Sequence, residues 1–329
     1  MPTSASDQIR YVSAAQVREL LPSIAATDAL WQGLAARAGD ALDPMPRTLV
    51  DLAAAHPAGA RMMLMPAFGP EGVGVKIQTL VDDNPDRGLP SIQGVYVLHT
   101  RNGMRPELLI DAAALTSVRT AAVSAAATRC LARPDSQRLV VFGAGVQAVA
   151  HISAMHAELQ IMATTIVGSP NGRARAETLA RQLRGEGYDV IAGDPGAVRS
   201  ADLICTCTPS TSPVFSAEDL QPGTHINAVG SYRMDMIELP PAAFAGALLA
   251  VETRDSALAE AGDVMNAIAL GMTSIEAASE LRELIVGGSV RTDPAQLTIF
   301  KSVGLAVEDL ILARALADRL AKSSRGSGG

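Results

Sequence analysis

Near the middle of the chain, Leu139 to Met155 reads LVVFGAGVQAVAHISAM, and this stretch leaves few folds open. Leu139, Val140, Val141 and Phe142 are apolar and strand-prone, and Val149, Ile152 and Met155 then recur at helical spacing. Between them lies Gly143-Ala144-Gly145-Val146-Gln147-Ala148, a G-x-G-x-x-A turn. In such a turn the first glycine permits the sharp bend, the second lets the backbone approach a pyrophosphate, and the small third residue lets helix and strand pack closely. The unpaired N–H groups and positive dipole end of the helix then face the anion. A bare motif is weak, but here strand, turn and helix occur in the required order and a second strand follows. The six residues from Gly143 to Ala148 are the expected cofactor turn.

The pattern on either side divides the chain. Ile9–Val12 reads as a short strand, Ser13 as the cap of a helix Ala14–Leu21 that Pro22 stops, and 25–38 as a second helix. After the break at Pro44-Met45-Pro46 the signals are strand-like at Thr48–Leu52, Arg61–Ala67, Gly74–Val81, Gly94–His99 and Glu107–Ile110. Turn residues such as Phe68-Gly69-Pro70 and Arg101-Asn102-Gly103 separate them. Asp111 caps a long alanine-rich helix ending near Pro134. Beyond it, strands 139–142, 164–167, 189–192, 203–207 and 225–229 alternate with helices 146–158 and 173–183, which implies a parallel sheet with crossovers. Ser302–Ala321 reads as one amphipathic helix and the tail after Lys322 as disordered. The expected fold class is α/β: a Rossmann dinucleotide-binding domain plus a β-rich α+β domain.

Composition limits the partners. A net charge of -7 without any Lys/Arg run argues against nucleic acid or an anionic membrane as the main partner. The start MPTSASDQIRYV lacks the features of a signal peptide, and no apolar run reaches the ~18 residues of a membrane helix. Cys130, Cys205 and Cys207 are odd in number and read as reduced core thiols, so a cytoplasmic location is expected. His151 and His156 are five apart, off a common helix face, and no metal-ligand spacing occurs, so no metal is expected.

Two cations stand out. Arg119 is a bulky guanidinium among alanines, suited either to a carboxylate or to the helix surface. Lys76 sits in GVGVKIQ, on the strand face opposite Val75 and Ile77, turned either to solvent or to a site. At the end of the second Rossmann strand, Val167-Gly168-Ser169-Pro170-Asn171-Gly172-Arg173 holds no acid before Glu177 to bind a ribose 2′-hydroxyl. Ser169 and Arg173 suit a 2′-phosphate, so NADP(H) is favoured over NAD(H). Thr208, Pro209 and Ser210, and then Val229 and Gly230, end later strands and are expected to line the adenosine and nicotinamide sides respectively.

The blocks GVKIQTLVDDNPDRGLPSIQG, ALTSVRTAAVSAAATRCLARPD, VVFGAGVQA, INAVGSYRMDMIEL and FKSVGLAVEDL together resemble the ornithine cyclodeaminase and mu-crystallin family, in its order, from about Pro46 to Leu310. The resemblance implies a homodimer in which residues 1–119 and 304–329 form a substrate-binding and dimerisation domain, with a Rossmann domain, 120–303, inserted between them. It places Arg119 at the substrate carboxylate, Lys76 in the active site pairing with that carboxylate, and Arg47 as a second carboxylate-binding arginine. It puts Thr120 near the cofactor phosphates, and it reads Lys301, Glu308 and Asp309 as ties between domains. In ornithine-cyclising members an aspartate stands two residues after the glycine of GSYRMD; here Tyr232 does, as a proton or hydrogen-bond donor or as a packing residue, while Asp235 reads as a partner for Arg233. That departure points to the ketimine-reductase branch: NAD(P)H-dependent reduction of a 2-imino acid such as pyrroline-2-carboxylate or piperideine-2-carboxylate, or of the imine of a small 2-oxo acid. The alternatives are ornithine or lysine cyclodeamination, alanine-dehydrogenase-like deamination, and a non-catalytic nucleotide-binding protein.

Overall fold

The computed structural model describes residues 9–37, 45–56, 59–288 and 291–326. The chain divides into two units, Met1–Gly33 with Gly39–Arg119 and Leu305–Gly329, and Leu34–Ala38 with Thr120–Gly304. Pro44 of the expected break and the end of the expected second helix, Ala38, lie outside the described residues.

In the first unit a short strand β1 (Arg10–Val12) leads into helix α1 (Ala14–Leu20), which Ser13 opens in a capping box with Gln16. Pro22 ends that helix and its carbonyl starts the next, α2 (Ser23–Ala35), by accepting from the Ala26 N–H at 3.0 Å. Strands β2 (Thr48–Asp51), β3 (Ala60–Gly69), β4 (Gly72–Val81), β5 (Ile92–His99) and β6 (Pro106–Asp111) form an antiparallel meander, and β1 joins it parallel to β6. β3 runs through Phe68 and Gly69, which the sequence assigned to a turn; the turn is Pro70-Glu71, with Gly69 opposite Gly72. Along β4 the pleat sends Gly72, Gly74, Lys76, Gln78 and Leu80 inward and leaves Val73, Val75 and Ile77 half-buried on the other face. Asp111 accepts from the Ala114 N–H at 2.8 Å and caps α3 (Ala112–Leu131), within which the first unit gives way to the second.

The second unit begins with β7 (Arg138–Phe142), α4 (Val146–Glu158), β8 (Ala163–Val167), α5 (Arg173–Gly185), β9 (Val190–Gly193), β10 (Leu203–Thr206) and β11 (His225–Ala228), in the order expected. The remaining elements have no counterpart in the sequence reading: β12 (Leu248–Val251), α6 (Arg254–Glu260), α7 (Gly262–Ala269), β13 (Ser279–Glu280), α8 (Leu281–Gly287) and β14 (Thr298–Lys301). All these strands are parallel, in the order β13-β12-β14-β11-β10-β7-β8-β9. The run β9-β8-β7-β10-β11-β14 is the doubly wound Rossmann order, and its topological switch lies between β7 and β10. Both sheet faces are covered. Leu139, Val141 and Leu203 meet Ile152, Met155 and Ala180 on one side, and Val140, Phe142 and Ile204 meet Leu239, Phe244 and Val264 on the other. Continuous apolar strands are the signature of such a sheet.

The last helix, α9 (Ala306–Gly326), belongs to the first unit and packs on β3, β4 and β5. It starts later than the expected Ser302, because the buried Glu252 carboxylate holds that stretch as a link. It accepts from the Ser302 hydroxyl at 2.6 Å and from the N–H groups of Val303 at 2.8 Å and Gly304 at 2.8 Å, and Gly304 adopts φ +84°. Ser323–Gly326, read from sequence as disordered, continue the helix; Ser327–Gly329 lie outside the described residues. Among the described residues no helix is long and apolar enough to cross a membrane, and the three cysteines are free.

Two histidines of the second unit are entirely buried. His151 Nδ1 lies 2.8 Å from the Gln147 carbonyl and must donate to it, so Nε2 accepts from the Ser124 hydroxyl at 3.0 Å, tying α4 to α3. His225 Nδ1 lies 2.8 Å from the Thr298 hydroxyl. Burial pulls His151 down to about 4, and burial together with Arg291 pulls His225 down to about 3. The folded-state values lie below the unfolded one, so their contribution is complete above pH 6.5 and is lost as the pH falls toward 4. Urea unfolding at pH 7 and pH 4.5 should therefore differ by roughly 2–3 kcal/mol per histidine, and His151→Gln should remove its share of that difference.

Candidate active site

The glycine turn of the second unit has the form a pyrophosphate requires. Gly143 adopts φ +104°, and a Cβ there would lie 2.6 Å from the Cys207 carbonyl oxygen, so only glycine fits. Gly145 is the N-cap of α4 with no side-chain cap, and a Cβ built on it would meet open space. The first amides of α4 thus lack a side-chain acceptor on the side open to a ligand. Val146 is 74% exposed while Ala148 is fully buried against the sheet, and Ala144 and Gln147 are half-buried. The residues present fit a dinucleotide.

Ser169 follows β8 and is exposed; Arg173 opens α5, is exposed, and meets Glu177 at 3.4 Å. Thr208 and Pro209 follow β10, Val229 and Gly230 follow β11, and Tyr232 is half-buried two residues on. Thr120 is buried in α3. Arg233 and Asp235 form a two-pronged ion pair at 2.9 Å.

In the first unit Lys76 is 1% exposed, and its ammonium donates to Asp309 Oδ2 at 2.7 Å. Arg119 donates from Nη1 to Glu308 Oε2 at 3.1 Å and places Nε 3.7 Å from Asp309 Oδ1. Arg47, half-buried just before β2, also acts on Lys76. Burial lowers the Lys76 ammonium to about 8; Asp309 opposes that fall, and Arg119 and Arg47 add to it. The three expected cations therefore share one electrostatic neighbourhood, while Tyr232 belongs to the second unit.

The pairs of Lys301, Glu308 and Asp309 differ from the expected ties between domains. Asp309 and Glu308 bind Lys76 and Arg119 inside the first unit, and Lys301 binds Asp263 at 2.9 Å inside the second. The sequence reading also missed Glu238, Asp263 and Glu252, all buried. A signal for the lysines was present: the chain has only Lys76, Lys301 and Lys322, and the first two stand in apolar strands.

Residues 10–324 match the model of the ornithine cyclodeaminase/mu-crystallin family. A Delta(1)-pyrroline-2-carboxylate reductase of Bacillus cereus is 38% identical over 271 residues, which are 80% of this chain and 83% of that one. The ketimine reductase mu-crystallin of Mus musculus is 33% identical over 257 residues, 78% of this chain and 79% of that one. Among solved structures, the Delta(1)-pyrroline-2-carboxylate reductase of Thermococcus litoralis, in complex with NADH and L-proline, is similar with a TM-score of 0.88 and 26% identity, covering 96% of this chain and 98% of that one.

Asp309 is the carboxylate paired with the enclosed Lys76, so removing it leaves that ammonium bare. Asp309→Asn should lower unfolding free energy by about 3–5 kcal/mol in urea titrations, and Lys76→Met added to it, which removes the stranded ammonium, should recover part of that loss.

Proposed function

Because the chain belongs to the ornithine cyclodeaminase/mu-crystallin family, we propose that it reduces a 2-imino acid to the amino acid with a nicotinamide dinucleotide, cyclic ketimines such as pyrroline-2-carboxylate and piperideine-2-carboxylate foremost. The observation that carries this reading is the convergence of Lys76, Arg119 and Arg47 in the first unit. Arg119 and Arg47 both act against the charge of Lys76, and a substrate carboxylate lying among the three would be attracted by each of them. The planar fork of Arg119 suits a carboxylate, and Glu308 and Asp309 hold it in place. Anchoring the carboxylate fixes the adjacent C2 carbon, so orientation supplies much of the rate. Lys76, at about 8, is mostly protonated at neutral pH yet able to exchange a proton, which suits it to keep the imine nitrogen in its cationic form. The nicotinamide, when bound, supplies the hydride to C2 and leaves oxidised, while the nitrogen keeps its proton and becomes the amine.

The turn Gly143 to Ala148, with Thr120, Thr208, Pro209, Val229 and Gly230, holds the dinucleotide in this reading. Ser169 and Arg173 receive a 2′-phosphate, Arg173 exchanging its exposed partner Glu177 for it, so NADP(H) is preferred. Tyr232, a phenol where cyclising members carry a carboxylate, favours reduction over ornithine cyclisation. The outer face of the first unit's sheet, with Leu64, Val73, Val75, Ile77, Val95 and Val97 half-buried, suits a second copy of the chain. Free thiols suit the cytoplasm.

Oxidation of NADPH and of NADH should be followed with both ketimines. Turnover is expected with at least one, faster with NADPH, and Arg119→Ala should lower kcat/KM by about a hundredfold or more. Silence on every imine despite demonstrated nucleotide binding would overturn the reading.

The Lys76 value also sets a pH limb. Above about 8 the free protein loses a cation facing the carboxylate, so affinity for an unreactive analogue, pyrrole-2-carboxylate, should be level below pH 7 and weaken as the pH rises through 8. Calorimetric titration should show that limb in the native protein and none in Lys76→Met.

A further inference from the structure

One buried carboxylate joins the ends of β10 and β11. Glu238 is 0% exposed. Its Oε1 accepts from the Thr208 N–H at 2.7 Å and hydroxyl at 2.8 Å, and its Oε2 from the N–H groups of Gly230 at 2.8 Å and Ser231 at 3.0 Å. Three of these four donors are amides that cannot accept a proton in return, so the cradle is built for the ionised form. Gly230 is part of the closure: a Cβ there would lie 2.2 Å from Thr208 N and 2.6 Å from Glu238 Oε1.

Behind Glu238 lies Asp263, 1% exposed. Its Oδ1 accepts from the N–H groups of Glu238 at 2.6 Å and Leu239 at 3.0 Å, and its Oδ2 takes the Ser231 hydroxyl and the Lys301 ammonium, the latter at 2.9 Å. Lys301, also 1% exposed, donates to the Ser231 carbonyl at 2.6 Å and to the Ser231 hydroxyl. Burial lifts Glu238 above its ordinary value and Lys301 works against that. Burial would lift Asp263 as well, but Lys301 and the Leu239 amide outweigh it and hold Asp263 below. Lys301 and Asp263 are the charged groups that act most on Glu238, so two carboxylates of this cluster face one ammonium.

We propose that the Glu238–Asp263–Lys301 cluster, with one more negative than positive charge, biases the bound dinucleotide toward its oxidised form. This rests on the reading that the loops after β10 and β11 line the nucleotide. The two forms differ by the positive charge that the nicotinamide ring gains when hydride leaves. A fixed negative charge in a buried, low-dielectric setting stabilises that ring relative to the neutral one, and it costs no reorganisation because the donors already hold it. The same field strengthens hydride donation. Acting through their charge and the loops they hold, these are positioning residues.

The test is the ratio of dissociation constants, reduced over oxidised, from fluorescence titration of NADPH and its competition by NADP+. Glu238→Gln and Asp263→Asn each cancel the excess charge and should lower the ratio about threefold or more. Lys301→Met adds to the excess and should raise it, whereas Glu238→Asp keeps the charge and should leave it unchanged even if both forms bind more weakly. Circular dichroism and thermal melting identify the variants that fold, and any one charge-changing variant that folds decides the sign. Equal weakening of both forms in the charge-changing variants would overturn the proposal and leave a structural clamp. A native protein that binds neither form would overturn the function reading and the proposal with it, an outcome distinct from binding at an unchanged ratio.

Discussion

A buried ammonium needs an anion beside it, and this chain buries two of its three lysines. Lys76 finds Asp309 some 233 residues further along, and Lys301 finds Asp263. The first of these pairs explains why the first unit is discontinuous. The inward face of β4 carries a charge that none of the strands beside it neutralises, since Met65 on β3 and Tyr96 on β5 stand opposite Lys76. The carboxylate comes from the first turn of α9, so the sheet and the final helix form one charge-balanced body only when the end of the chain has returned. The second pair sits at the end of β14, the last strand of the second unit to be made and one that lies inside its sheet. Both units are thus closed by their last segments.

Much of this architecture was legible because it is written locally. The glycine turn carries its own geometry, and the helix 146–158 follows from spacing alone. The strands of the meander announce themselves by alternation, as at β4, where Lys76 and Gln78 share the inward face with two glycines. What was not legible depends on partners far away. LLAV and TIFK are strands of only four residues, and they are strands because β14 lies between β11 and β12. Ser302–Gly304 runs straight into α9 and would pass for helix, but a carboxylate fifty residues earlier holds the Ser302 hydroxyl and the amides of Val303 and Gly304. Arg119 and Lys76 stood out as cations in the wrong surroundings. Their partners Glu308 and Asp309 entered only through the family resemblance, as ties between domains, because nothing in their local pattern points to a cation far earlier in the chain.

The choice of lysine over arginine at the two buried sites has a chemical side. The chain is otherwise arginine-rich among its cations, so lysine is not a default here. Arginine in a buried site remains a fixed charge, whereas lysine surrenders its proton readily once desolvated. At Lys76, with two guanidinium groups close by, that readiness brings the ammonium to about 8, where it can both attract a carboxylate and trade a proton. In the proposed site Arg119, held by Glu308 and Asp309, does the part that needs no proton: it presents a rigid fork.

The two charge clusters also differ in make-up, and the difference matches the demands of the two ligands in the proposed reading. In the first unit cations gather where the reading places an anionic substrate; in the second, carboxylates outnumber the ammonium beneath the loops assigned to a ring that becomes cationic as it gives up hydride. Imine reduction moves negative charge from nicotinamide to carbon, and the carboxylate excess proposed beneath the nicotinamide favours that movement at the donor end. Thr208, Gly230 and Ser231 donate to Glu238, and Asp309 and Glu308 accept from Lys76 and Arg119, so the fold arranges both clusters before either ligand arrives.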